Sequence, residues 1–197
     1  LAMTAFTIDT SAPVLSETTP VATPSNDTTP TYVFNSTQAG TITYGGGVTS
    51  RTTAANVGAN TITLTALVAG TYNGTILVTD PAGNASNTLA MTAFTIDTIA
   101  PRLTQVSPAG NPFTVRAAGQ ASFAFVLTSD EAGTASYSGD ATSSNTSIGV
   151  GSNTLTMIPS NGDRTWAAGS KRGGLVITVT DAAGNSSALT FASFTIS

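Results

Sequence analysis

The chain has 197 residues, of which only 8% are charged, and its formal net charge is -4. It contains no histidine and no cysteine, which excludes disulfides, thiol chemistry, cysteine metal sites and a serine–histidine triad. No basic stripe invites nucleic acid, and no apolar run approaches the roughly 18 residues that span a bilayer.

Residues 1–10 read LAMTAFTIDT, and residues 89–98 read LAMTAFTIDT again. A looser third copy, LTFASFTIS, occupies residues 189–197. The copies are 88 and 100 residues apart, so the chain reads as tandem domains of roughly 90–100 residues each, a common domain size. Residues 1–9 are expected to be the last strand of a preceding repeat, left as an orphan tail. Residues 10–97 then form the first domain and residues 98–197 the second.

Apolar and polar residues alternate in Thr31-Tyr32-Val33-Phe34, in Thr41-Ile42-Thr43-Tyr44 and in Thr61-Ile62-Thr63-Leu64-Thr65. The pattern returns at Thr75-Ile76-Leu77-Val78 and at residues 91–96. In the second half it covers residues 123–127, 154–158, 175–179 and 191–196. A period of two, rich in Thr, Val, Ile and aromatics, makes half-buried strands. Gly, Asn, Pro and Asp fall between these runs, as turns require. Helical periodicity is not sustained anywhere, so the expected fold is all-β, an antiparallel sandwich repeated in tandem.

The halves also align inside. Val78-Thr79-Asp80-Pro81-Ala82-Gly83-Asn84 matches Val179-Thr180-Asp181-Ala182-Ala183-Gly184-Asn185 at an offset of 101. Residues 36–41 match 129–134 at 93, and residues 67–70 match 166–169 at 99. The extra residues of the second domain therefore lie between Thr134 and Trp166. Residues 139–153 are the expected insertion, read as a longer loop.

A strand ending V-T-D-x-A-G-N, followed by a hairpin into F-T-I-D-T-x-A-P, resembles the bacterial immunoglobulin-like (Big-type) repeats of large secreted or surface-anchored adhesins. The matching segments are residues 80–101 and 181–197, with residues 6–13 as a preceding tail. The resemblance implies two tandem Ig-like sandwiches joined by a short linker, on the bacterial surface or secreted. It implies a stalk or spacer role in which neighbouring repeats of the same chain are the first partners. It also implies calcium at the joints, as some relatives bind it there.

The motifs have their own physics. Leu67-x-x-Gly70-x-Tyr72 fits a tyrosine corner, with the phenol bonded to upstream backbone, or an ordinary half-buried tyrosine. Lys171 stands where Tyr72 would be, so the corner is not expected in the second domain. Trp166 replaces Leu67 and reads as a core plug rather than a sugar platform. Asp80 to Asn84 is first a turn, in which the aspartate bonds backbone two residues on and glycine supplies positive φ.

In a sandwich of this topology the exit of one domain meets the pole of the next that carries the loop at residues 129–131 and the turn at residues 181–185. Asp97, Asp130, Glu131 and Asp181 would then converge on the joint. Crowded carboxylates repel, and calcium, which takes 6–8 oxygens, relieves that. The alternative is a solvated acidic loop beside a turn-forming aspartate. The first domain offers a thinner second set, Asp9 and Asp80, because Thr37 and Gln38 replace the loop acids.

Catalysis has little to work with. Lys171 is the sole lysine and sits in what reads as a solvated Gly/Ser-rich loop, so it stays protonated. No catalytic residue and no other cofactor is expected. Gly45-Gly46-Gly47 opens no helix and is a turn rather than a phosphate loop. The expected function is a non-catalytic spacer. The alternative is a module binding a cell-surface glycan or protein through the second domain, which an exposed Trp166 would favour. No direct membrane insertion is expected.

Overall fold

The computed structural model describes residues 6–169 and 171–197. The chain divides into two compact units, residues 1–98 and 99–197. Every regular element among the described residues is a strand, and none is a helix long and apolar enough to cross a membrane.

The first unit contains β1 (Leu15–Thr19), β2 (Thr31–Ser36), β3 (Gly40–Gly45), β4 (Ala54–Ala55), β5 (Gly58–Thr63), β6 (Gly70–Tyr72), β7 (Thr75–Thr79), β8 (Leu89–Ala90) and β9 (Phe94–Ile96). One sheet runs β1-β2-β5, the facing one β4-β3-β7-β8, and β6 pairs with β9. The inward residues of the alternating runs make the core: Tyr32, Phe34, Ile42, Ile62, Ile76 and Val78 are all buried. Alternation therefore does what it must in a two-layer sandwich, since each sheet can bury only one face.

The second unit contains β10 (Leu103–Ser107), β11 (Phe113–Val115), β12 (Phe123–Ser129), β13 (Gly133–Gly139), β14 (Ala141–Thr142), β15 (Ser147–Ile148), β16 (Gly151–Pro159), β17 (Lys171–Thr180) and β18 (Ser186–Ile196). Its sheets run β10-β12-β16-β14 and β11-β18-β17-β13-β15. The chain changes sheet between β12 and β13, and β11 pairs parallel with β18. Phe113, Phe123, Phe125, Phe191, Phe194 and Trp166 form an aromatic core.

The two units share one frame. Both first strands carry a bulge at the same register, Glu17/Thr19 and Gln105/Ser107. Tyr44 donates its phenol to the Thr52 carbonyl and Tyr137 to that of Asn145. The Asn60 side chain accepts from the Asn56 N–H at 2.8 Å, and Asn153 accepts from Gly149 at the same distance.

These last pairs correct the placing of the insertion. Asn153 and Asn60 are 93 residues apart, the same offset as the loops before them. Residues 139–153 are therefore not longer than their counterparts, and they hold two edge strands rather than a free loop. The extra residues follow β16's shared portion, in residues 157–165, where β16 continues to Pro159 and turns back. Lys171, expected in a loop, begins strand β17; its side chain lies outside the described part.

Candidate functional site

Each repeated D-x-A-G-N motif is a closed turn. In the first unit, Asp80 N–H donates to the Asn84 carbonyl at 3.0 Å and Gly83 N–H to the Asp80 carbonyl at 3.1 Å. Asp80 Oδ1 accepts the Asn84 N–H at 2.8 Å, and Oδ2 accepts the Asn84 side-chain amide at 2.8 Å. Gly83 has φ 95 and Gly184 φ 97, a conformation that costs glycine least. Asp181 repeats the pattern, accepting from the N–H and the amide of Asn185, both at 2.9 Å.

These bonds set the charge state of both aspartates. The Asn84 side chain, with the N–H groups of Asn84, Ala82 and Gly83, holds Asp80 below the usual carboxylate range against its burial. Partial burial pushes Asp181 up, but the Asn185 side chain and the N–H groups of Asn185, Gly184 and Ala183 outweigh it. Both stay ionised at neutral pH.

In the second unit, a carboxylate oxygen of Glu131 and one of Asp181 lie within 4.8 Å of each other. The loop presenting Glu131 is pinned by Ser129 Oγ, which donates to the Glu131 carbonyl at 2.6 Å. Asp130 is committed elsewhere. Its Oδ1 accepts the Arg102 N–H at 2.6 Å. Thr37 Oγ1 does the same for Val14 N–H at 2.9 Å in the first unit, so a carboxylate here replaces a hydroxyl in a strand-pinning role. Asp97, which closes the first unit, donates its N–H to the Ser25 carbonyl at 2.9 Å.

The first unit joins Asp9 and Asp80 through a donor. The Asn84 side-chain amide reaches Asp80 Oδ2 and also the Asp9 carbonyl at 3.1 Å, while Asp9 Oδ1 accepts the Ser11 N–H at 2.9 Å. The amide thus links the Asp80 carboxylate to the Asp9 main-chain carbonyl. Phe6 and Ile8, in the preceding tail, are 74% and 77% exposed and lie outside any strand.

Trp166 is wholly buried. Its ring packs on Phe123 at 5.4 Å and edge-on to Phe194 at 5.8 Å. The Trp166 main-chain N–H donates to the Gln120 carbonyl at 2.8 Å, as the Leu67 main-chain N–H does to the Thr28 carbonyl at 2.8 Å. The ring is a core plug and presents no sugar-stacking face. Tyr72 does make the corner, its phenol donating to the Val68 carbonyl at 2.9 Å. A shallow groove of about 350 Å³ in the first unit lies between Arg51, Thr29 and Leu64. Three of its hydroxyls are already engaged: Ser50 Oγ donates to the Thr63 carbonyl, Thr29 Oγ1 donates to Asp27, and Thr65 Oγ1 pairs with Thr49 Oγ1.

Sequence reasoning missed Glu17. This residue of β1 accepts from the Thr92 N–H at 2.9 Å and the Thr92 hydroxyl at 2.5 Å. The signal was an acid in an otherwise uncharged strand, LSETT.

No curated protein matches the sequence. Among solved structures, the chain is similar to the fibronectin(III)-like modules of Clostridium thermocellum CbhA, at 13% identity over 92% of this chain and 93% of that one, with a TM-score of 0.45. It is also similar to the D00-D0 domain of intimin, at 17% identity over 94% of this chain and 99% of that one, with a TM-score of 0.38. Residues 3–98 match the family model described as a bacterial Ig-like domain. With its two facing antiparallel sheets and its tyrosine corner, the first unit belongs to the bacterial Ig-like domain family.

Proposed function

We propose that the chain is a non-catalytic spacer segment of an extracellular bacterial adhesin. One observation carries this reading: the residues that make the repeat distinctive are spent on its own backbone. Asp80, Asp181, Asn60, Asn153, Tyr44 and Tyr137 all close turns or pin loops. Such residues hold a rigid repeat, whereas a recognition surface needs polar groups left for a partner. Exchanging the segment, within its parent protein, for unrelated sandwiches of equal length tests this. Adhesion should persist; its loss would show that the segment itself recognises a target.

Calcium at the joint is the second part of the proposal. Glu131 and Asp181 bring hard carboxylate oxygens close together, which suits a cation with oxygen ligands. Asp97 stands two residues before the second unit begins at Ile99. Melting with calcium and with chelator tests it, since a ligand at about 100 times its dissociation constant adds roughly 2.7 kcal/mol to the native state. An unchanged melt removes calcium and leaves a plain spacer.

A further inference from the structure

We propose that Glu17 is an ionisable clasp that ties the first strand of the first unit to its last, and that protonating it loosens that edge while the second unit stays closed.

The clasp exists because the last strand of the first unit is broken. Tyr72 opposes Phe94, whereas Thr75 opposes Ala90. Three steps on one strand therefore face four on the other, and the extra residue lies among Met91, Thr92 and Ala93. Met91 turns inward, only 4% exposed, and donates its N–H to the Gly74 carbonyl at 2.8 Å. A Cβ on Gly74 would stand 2.6 Å from the Met91 sulfur and 2.8 Å from a Val48 methyl, so a side chain there would make Met91 and Val48 shift. Thr92 is left outside the ladder, and a backbone N–H without a ladder partner must find another acceptor or water. The Glu17 carboxylate takes both its N–H and its hydroxyl.

The second unit lacks the device. Register places Gln105 where Glu17 stands. The Gln105 amide donates to the Pro108 carbonyl, within its own strand segment. Strand β18 runs over eleven residues and keeps one register against β17 on both sides of Ala192, so no extra residue stands there.

The groups facing Glu17 are Thr92, at the gap, and the Tyr32 phenol from β2. Burial and the neighbouring carboxylate push Tyr32 well above its ordinary range, so it stays neutral wherever Glu17 titrates. Glu17 alone changes charge. Once protonated, it trades a charge-assisted acceptor for a neutral one, about half as strong. In an array, the segments before β1 and after β9 lead to neighbouring repeats, so tension acts on this edge. That consequence rests on the spacer reading; the clasp does not.

Amide hydrogen exchange on the whole chain tests it, with rates corrected for intrinsic pH dependence. Thr92 protection should fall about three- to tenfold between pH 6 and pH 3, the change expected when one charge-assisted hydrogen bond weakens by about half. Glu17→Gln should reproduce much of that fall at pH 6 and flatten the pH dependence. The Asn84 amide, held by Asp80, should respond to pH but not to Glu17→Gln, and the Ala135 amide of the second unit, held by the Thr146 carbonyl, to neither. Thr92 protection indifferent to pH in the unaltered protein overturns the proposal, whether or not the variant folds. So does a parallel fall at Asn84 or Ala135 in Glu17→Gln. Either failure concerns one hydrogen bond and leaves the spacer reading standing.

Discussion

Trp166 is the chain's only tryptophan and lies in the core of the second unit, so its fluorescence reports that unit alone. Phe194 is the ring to remove. It stacks on Phe113 at 5.2 Å with planes 12° apart, meets Trp166 edge-on at 5.8 Å and touches Phe123 at 6.0 Å. Truncating a buried phenylalanine costs about 3–5 kcal/mol from lost transfer energy and the cavity left behind. Four aromatic rings meet here, each fixed by the others, so the site cannot collapse and the upper half of that range applies. With a urea slope of about 2 kcal/mol per molar, Phe194→Ala should lower the tryptophan-detected midpoint by about 2 M. Phe94, the counterpart in the first unit, stacks on Tyr72 at 5.5 Å and belongs to a separate core cluster. Phe94→Ala should shift the circular-dichroism transition yet leave the tryptophan midpoint in place. An equal tryptophan shift from Phe94→Ala would refute the division into two independent cores. A loss under about 1 kcal/mol from Phe194→Ala would refute the packing argument.

Two further outcomes follow from local hydrogen bonds. Asp181 has its pKa lowered in the folded state, so the unfolded chain binds the proton more readily. Its stabilisation is present above the ordinary aspartate value of about 3.9 and fades as pH falls through the lower native value. The tryptophan-detected stability should therefore drop below about pH 4, and less steeply in Asp181→Asn; an identical acid profile in the variant would contradict the assignment. Tyr72→Phe removes the corner bond to Val68 and should cost about 1 kcal/mol in a urea melt of the first unit. Val68 is 77% exposed, so water can reach its carbonyl and a loss above about 2 kcal/mol would be inconsistent with that bond as the cause.

The long strands were legible because a half-buried strand writes its burial as a period of two, as in Thr31 to Phe34. Strands of two or three residues, such as β4, β8 and β14, carry no period and could not be read. The first strand was hidden for another reason: LSETT has one buried residue, Leu15, and its bulge breaks the alternation. The D-x-A-G-N turns were readable because aspartate, glycine and asparagine each have a specific conformational use there. The insertion was misplaced because composition favoured the Gly/Ser-rich stretch, while the residue that fixes the register, Asn153, differs from its loop neighbours only by the bonds it makes.

The acidic pole shows where residue type stops indicating role. Asp130 and Glu131 are adjacent in sequence and identical in charge. One caps the Arg102 N–H; the other lies beside Asp181. The distinction was present in the repeat itself. Asp130 aligns with Thr37 and Glu131 with Gln38, and a hydroxyl can replace a carboxylate as an acceptor for a backbone N–H, though it cannot supply a full negative charge. A position that alternates between Thr and Asp therefore marks hydrogen-bond acceptance, whereas Gln-to-Glu changes charge at nearly constant shape. The same comparison applies to Glu17 and Gln105. At nearly constant shape, Gln105 turns to its own strand, while the glutamate spans to Thr92. In both pairs the repeat keeps the backbone frame and varies the charge placed on it. Charge differences between aligned repeats, more than the acids themselves, are where functional divergence in such an array should be sought.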